Sequence, residues 1–219
     1  MIHPHTELRF ISPEVGYGVF ATRFIPRGTV LWTLCRLDRV FTPDDISMLP
    51  ENYLEILARY SYVNSAGNVV LCWDFGRYLN HSCNANMLPL NHEVEIAIRD
   101  IQSGEEITCE YGTCNIGNDL NCQCGSAECR SVIRGEDVLT YSSVWREKVR
   151  AAMAHFHEIE QPLLPFIREQ EQFLKQVTGV EDIPDQADFY YAVKIAAPGN
   201  YQQGPWRLPA ITNHSKTGT

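Results

Sequence analysis

Arg77-Tyr78-Leu79-Asn80-His81-Ser82-Cys83 is the stretch on which the reading of this chain turns. Apolar runs flank it, residues 68–75 on one side and 93–98 on the other, so it reads as a loop between two strands. Loops are where polar side chains gather for binding and chemistry. An Asn, a His, a Ser and a Cys in succession point to polar atoms with work beyond reversing the chain.

Composition around this loop is globular, with 44% hydrophobic and 21% charged residues. The 219 residues suffice for one substantial domain with an appendage, or for two small domains. No apolar run approaches the ~20 residues of a membrane span, so no membrane partner is expected. The first residues, Met-Ile-His-Pro-His-Thr-Glu, do not place a basic region before an apolar one. The expectation is a protein made in the cytoplasm, with the nucleus or a host cell left open as a final compartment. A net charge of −9 argues against direct nucleic-acid binding, which needs a positive field. It suits a basic protein partner instead. The eight cysteines carry no sign of a secreted disulfide framework; in a reducing compartment, clustered cysteines point to metal.

Taken in order, residues 8–34 have the pattern of a small β-meander. Turns fall at Ser12-Pro13-Glu14 and Pro26-Arg27-Gly28, and Gly16-Tyr17-Gly18 opens a strand through Thr22. Thr42-Pro43-Asp44-Asp45 is a helix start, with Thr as cap, Pro at the first position and acids in the first turn. The helix breaks at Pro50 and resumes over residues 53–62. Strands are predicted at 69–75, 94–99 and 105–111, before a cysteine-rich segment at 114–130. From about Gly135 the period changes: Trp145, Val149, Ala152, Met153 and Phe156 recur at helical spacing. Phe166, Phe173, Leu174 and Val177 do so again, and residues 185–197 predict a third helix. These apolar stripes face a core, with a partner groove as the lesser alternative, and the helices could brace the core, form a dimer contact or select substrate. Residues 209–219 read as a disordered end.

The segment Arg-Tyr-Leu-Asn-His-Ser-Cys-Asn-Ala-Asn from Arg77 resembles the Arg-Phe-Ile-Asn-His-Ser-Cys-x-x-Asn signature of SET-domain protein lysine methyltransferases. Three further segments resemble that family in order: the Gly16-Tyr17-Gly18 turn, Glu105-Glu106-Ile107-Thr108-Cys109-Glu110-Tyr111, and Cys122-Gln123-Cys124-Gly125-Ser126-Ala127-Glu128-Cys129-Arg130. The resemblance covers about residues 15–130. It implies a mainly β fold of several short curved sheets around a knot-like crossing, with a helical insert at about 42–63. On this reading residues 1–115 form the SET domain, 116–134 a post-SET zinc segment, 135–200 a C-terminal helical appendage and 201–219 a disordered tail.

The resemblance also implies roles. Gly16, Tyr17, Gly18, Tyr78, Asn80, His81 and Tyr111 would hold S-adenosylmethionine. Tyr111 would be the catalytic tyrosine, its hydroxyl where sulfonium and lysine amine meet; a phenol can orient the amine without competing as a nucleophile. Three closely spaced thiolates, Cys122, Cys124 and Cys129, can fill three corners of a tetrahedral Zn²⁺ site. The family supplies the fourth from the cysteine here numbered Cys83. Two positions depart from the family pattern. Cys109 stands where Phe or Tyr is usual, which points towards more than one methyl group per lysine. Leu34 stands where a channel tyrosine is common, leaving Trp32, Tyr60 or Tyr62 to compensate. Cys109, Trp32 and Leu34 are therefore the expected channel residues.

The function implied is transfer of a methyl group to a lysine of a basic protein, a histone tail first. A non-histone acceptor such as a ribosomal protein is an alternative. The two departures also keep a non-catalytic, cofactor- or tail-binding module in play.

Overall fold

The structure, a computed structural model, describes residues 1–178 and 183–190. It is built from short strands in four small sheets, with helices inserted and appended. One sheet has the order β1 (Thr6–Ser12), β2 (Gly16–Ala21), β10 (Glu106–Cys109), β7 (Asn80–His81). A second runs β3 (Val30–Thr33), β9 (Val94–Ala97), β8 (Met87–Asn91). The third is β4 (Arg39–Phe41), β6 (Val69–Leu71), β5 (Ser61–Val63), and a two-stranded ribbon pairs β11 (Leu120–Asn121) with β12 (Val132–Ile133).

The expected meander holds only for its first hairpin, where β1 and β2 pair antiparallel with Leu8 opposite Val19. The chain then leaves the sheet. Gly28 takes a left-handed φ of +90°, its N–H reaches Ala97 O at 2.8 Å, and β3 is delivered to the side of β9. The close approach needs glycine, since a Cβ there would lie 2.7 Å from Ala152 O.

Thr42 and Asp45 form a reciprocal capping box at the start of α1 (Pro43–Ser47). After Pro50 the chain re-enters helix as α2 (Glu51–Tyr60), earlier at both ends than the sequence predicts. The reason lies in β5: the backbone of Tyr62 pairs with Val70, so the last residues of the expected helix are drawn into a strand.

Helices α3 (Asp137–Met153) and α4 (Gln170–Thr178) cover one face of the second sheet. Trp145, Val149, Ala152, Met153, Phe156, Phe173 and Val177 pack there with Val30, Leu88, Val94 and Ile96. Their stripe thus packs on this chain's own sheet. Phe166 leaves the predicted stripe: it is 48% exposed, while Leu163 and Ile167 on either side of that 3₁₀ turn are buried. Of the third predicted helix, Gln186–Phe189 forms a 3₁₀ turn, and residues 191–197 lie outside the described residues. So does the expected disordered end.

A second core fills the space between the first two sheets, with Val19, Ile25, Leu31, Met87, Ala97, Ile101 and Ile107. Strand β9 is shared between the cores by its period of two. Val94 and Ile96 face the helices, and Ala97 faces the inner core. Among the described residues no helix is long and apolar enough to cross a membrane.

Candidate active site

The site forms where residues 79–86 run beside residues 106–111. Strand β7 pairs parallel with β10, placing Asn80 beside Thr108 and His81 beside Cys109. A parallel pair this short needs help from side chains, and Asn86, 1% exposed, supplies it. Its Nδ2 donates to Glu106 O at 2.8 Å and Glu105 Oε1 at 3.1 Å, and its Oδ1 accepts from Thr108 N at 2.9 Å. Asn86 is the last residue of the Asn-His-Ser-Cys-x-x-Asn signature. Its position in that motif was the signal, and sequence reasoning gave it no role.

Tyr111 follows directly. Its backbone N–H donates to His81 Nδ1 at 3.2 Å, and its hydroxyl donates to Leu79 O at 2.9 Å. Both contacts run from the end of β10 to β7. Burial first, then the neighbouring Cys109 and Cys114, raise its phenol well above the usual range, so it stays protonated. His81 is neutral: burial, then the nearby Arg130 cation, lower it to about 4. Since Nδ1 accepts from Tyr111, the ring proton sits on Nε2, which faces Cys83 Sγ at 3.3 Å.

Tyr111 and Cys109 wall a cavity together with Trp32, Tyr60, Tyr62 and Glu95. The rings of Trp32 and Tyr62 meet edge to face, 6.0 Å between centroids and 83° between planes. Gly76 lets the Trp32 ring close up against the Asp74-capped turn, because a Cβ there would lie 2.9 Å from the indole. Of the three expected channel residues, Trp32 and Cys109 line this cavity. Leu34 does not: it follows the end of β3 and packs, 4% exposed, in the inner core. Tyr60 and Tyr62, from the end of α2 and from β5, stand in the wall instead.

On the other side of the crossing lies the Gly16-Tyr17-Gly18 strand. Gly16 has a left-handed φ of +83°. A Cβ at Gly18 would lie 2.5 Å from Glu106 Oε1 and 2.9 Å from Asn80 Nδ2, so only glycine lets Asn80 cross here. Asn80 Nδ2 donates to Tyr17 O at 3.1 Å and Glu106 Oε1 at 2.7 Å. Tyr17 packs edge-on to Tyr78 at 6.0 Å and, with Phe10, stays more than a third exposed. Gly16, Tyr17, Gly18, Tyr78 and Asn80 are thus gathered on one surface.

The cysteine cluster closes the far end. His81, Cys83, Cys122 and Cys124 offer ligand atoms within 4.8 Å of one another. Cys83 and Cys122 sulfurs are 3.8 Å apart, and the Cys129 thiol neighbours those of Cys122 and Cys124. All eight cysteines are free thiols. Backbone N–H groups point at sulfur: Arg130 N at Cys83, 3.4 Å, and Cys83 N at Cys124, 3.5 Å. Burial pushes the Cys83 and Cys122 thiols up. Partial burial acts the same way on Cys124, but the N–H groups of Cys83 and Ser126 pull that thiol down to about 7. Converging sulfurs with donated N–H bonds fit a thiophilic cation.

Arg130, which ends the cysteine motif, ties the cluster to the rest. Its guanidinium reaches Glu110 at 2.6 Å and Asp137 at 3.3 Å and lies over the rings of Tyr141 and Trp145. Glu110 also accepts from Gly112 N at 2.8 Å; burial raises its carboxyl, and Arg130 counters that. The appended helix α3 thereby touches the segment that carries the cluster.

Comparison with known proteins bears on this geometry. Residues 16–112 match the family described as the SET domain. Histone-lysine N-methyltransferase set9 of Neurospora crassa is 32% identical over 124 residues, covering 53% of this chain and 15% of that protein. The H3 lysine-9 specific histone-lysine N-methyltransferase of Schizosaccharomyces pombe is 28% identical over 163 residues, covering 58% and 32%. An H3 lysine-36 specific enzyme of Cryptococcus neoformans is 26% identical over 144 residues, covering 58% and 16%. The chain spans less than a third of the length of each of these relatives.

Proposed function

Because the chain carries a SET domain over residues 16–112, we propose that it is a protein lysine N-methyltransferase using S-adenosylmethionine, with a basic protein, a histone tail first, as acceptor. The observation that carries this reading is Tyr111: a buried phenol at a cavity wall, bonded through its hydroxyl to Leu79 O and through its N–H to His81. The cofactor would present a methyl group on a sulfonium, open to in-line displacement by an amine. The face made by Gly16, Tyr17, Gly18, Tyr78 and Asn80 would hold it, with the backbone at His81. The cavity past Cys109 would admit the lysine, with Trp32, Tyr60 and Tyr62 excluding water around its aliphatic stem. Tyr111 stays protonated, so its hydroxyl oxygen can accept from the amine and aim the nitrogen lone pair.

Cys109 is small where a ring would fill the wall, which supports addition of more than one methyl group. Zn²⁺ is the ion we assign to the cysteine cluster, with Cys83, Cys122, Cys124 and Cys129 as ligands. His81 is left out of that set because its Nε2 carries a proton; it would donate to the Cys83 sulfur instead. The relatives specific for different H3 lysines match this chain about equally, so similarity does not favour one acceptor lysine.

The test is incubation with labelled S-adenosylmethionine and separate pools of core histones and ribosomal proteins, followed by mass spectrometry. Label on lysine is expected, on histones first. Cofactor binding with no label on either pool would turn the reading towards a non-catalytic module.

A further inference from the structure

Strand β9 should present an apolar side chain to the inner core at position 95, because its period of two puts that residue on the face of Ala97. It presents a carboxylate. Glu95 lies opposite Trp32 in the β3–β9 register, so the two side chains stand together on the face that meets the cavity. Three polar atoms gathered here are out of solvent and, among the described residues, without a hydrogen-bond partner: Glu95 Oε2, Tyr62 Oη and Trp32 Nε1. Buried polar atoms are ordinarily paired, and leaving one bare is costly. Two of the three, Glu95 Oε2 and Tyr62 Oη, can accept a hydrogen bond from a guest, while Trp32 Nε1–H can only donate. The open space, about 70 Å³, is several times the ~10–15 Å³ that one water needs.

The chemistry of the set is specific. A carboxylate oxygen and a phenolic oxygen accept hydrogen bonds, and two aromatic faces at a right angle make a corner that attracts a cation. Among the described residues Glu95 has no basic partner, and burial alone raises its carboxyl to about 7. What the corner lacks is a small, hydrogen-bond-donating cation on an apolar stem.

We infer that Glu95, with Tyr62 and Trp32, is the recognition corner for the ammonium group of the incoming side chain. The inference rests on reading the cavity as the lysine channel, and it adds a residue to that site which makes the channel selective for a charged amine. Attack on a sulfonium needs the neutral amine, so Glu95 holds the side chain before and after methyl transfer and not during it. A carboxylate in this place also retains a methylated ammonium, which keeps its charge and gains affinity for the two rings. Retention between transfers suits the spare room that Cys109 leaves.

The test uses the full chain, labelled with ¹⁵N and saturated with S-adenosylhomocysteine, and follows the Trp32 indole N–H signal, assigned with Trp32→Phe. n-Butylammonium and n-butanol are the probes, equal in stem and differing in charge. Wild type is expected to bind the ammonium about tenfold more tightly than the alcohol, and Glu95→Gln to abolish that preference while leaving alcohol binding unchanged. A ratio near one in wild type, absence of any response to the ammonium, or an unaltered preference in Glu95→Gln would each overturn the inference. Because the wild-type ratio stands by itself, a poorly folded variant would not rescue it. Methyl transfer to a protein lysine is read separately. Transfer without the ammonium preference leaves the enzyme reading intact and removes only the role of Glu95.

Discussion

Tyr111 donates its hydroxyl to Leu79 O and its backbone N–H to the His81 ring nitrogen Nδ1, and only the first of these contacts uses the hydroxyl. Tyr111→Phe should therefore keep its ring in the core. Turnover is expected to fall ~10²-fold or more, the scale for losing one preorganised polar contact to the reacting atoms, with cofactor affinity measured by calorimetry unchanged. Equal rates would mean that another group orients the amine. Glu95 makes a prediction of opposite sign for stability. Burial raises its carboxyl from 4.5 to about 7, so between those values the folded chain binds a proton that the unfolded chain releases. That stabilisation is complete below about pH 4.5 and is lost as pH rises through about 7. Glu95→Gln should therefore flatten the decline and, above about pH 7, exceed wild type by up to roughly 3 kcal/mol, read by urea melts at the two ends of the window. Tyr111 was legible in the sequence because its motif is contiguous. Glu95 was not, since Glu-Val-Glu-Ile-Ala-Ile alternates like a half-exposed strand and nothing local says that the polar face meets a cavity. Leu34 misled because alignment to a family position does not say where a strand ends.

At the scale of elements, the pairing of β7 with β10 is the contact that sequence motifs implied most directly, yet Asn86 is what locks it. The first hairpin and the capping box at Thr42 were also readable, each from local turn or cap chemistry. Strand β8 was not, because Pro89 interrupts Met-Leu-Pro-Leu-Asn; it sits at the edge of its sheet, where proline is tolerated. The cysteine segment has almost no regular structure of its own beyond the β11–β12 ribbon. Its order should depend on metal. Elemental analysis is expected to give about one zinc per chain, lost in Cys124→Ser together with a drop in melting temperature, as for small metal-ordered segments generally. Wild-type melting unchanged by a strong chelator would contradict this. Helix α3 braces the same region: Trp145, 6% exposed, lies against Gly112, where an added Cβ would come within 3.1 Å of the indole. Trp145→Ala should cost about 3–5 kcal/mol in a denaturant melt, far more than a helix that merely decorates the surface would lose.

For the whole molecule, two cores share the sheet of β3, β9 and β8: helices cover one side, and the inner core beside the candidate site lies on the other. The appendage, unexplained by any motif, is thus part of the scaffold behind the cavity. Helical periodicity announced its stripes, but periodicity names no partner, and it is the packing that shows the buried stripe meeting the sheet of β3, β9 and β8. The acidic balance, −9 overall, agrees with the basic acceptor proposed. The account stands on one event, passage of a methyl group from sulfonium to a lysine nitrogen beside Tyr111. The direct measurement is a time course that counts S-adenosylhomocysteine formed against methyl groups found on acceptor lysines by mass spectrometry. Equal amounts rising together in wild type, with neither rising in Tyr111→Phe, is the predicted result. Bound cofactor with no methylated lysine, or methylated lysine at the same rate without the phenol, would contradict it.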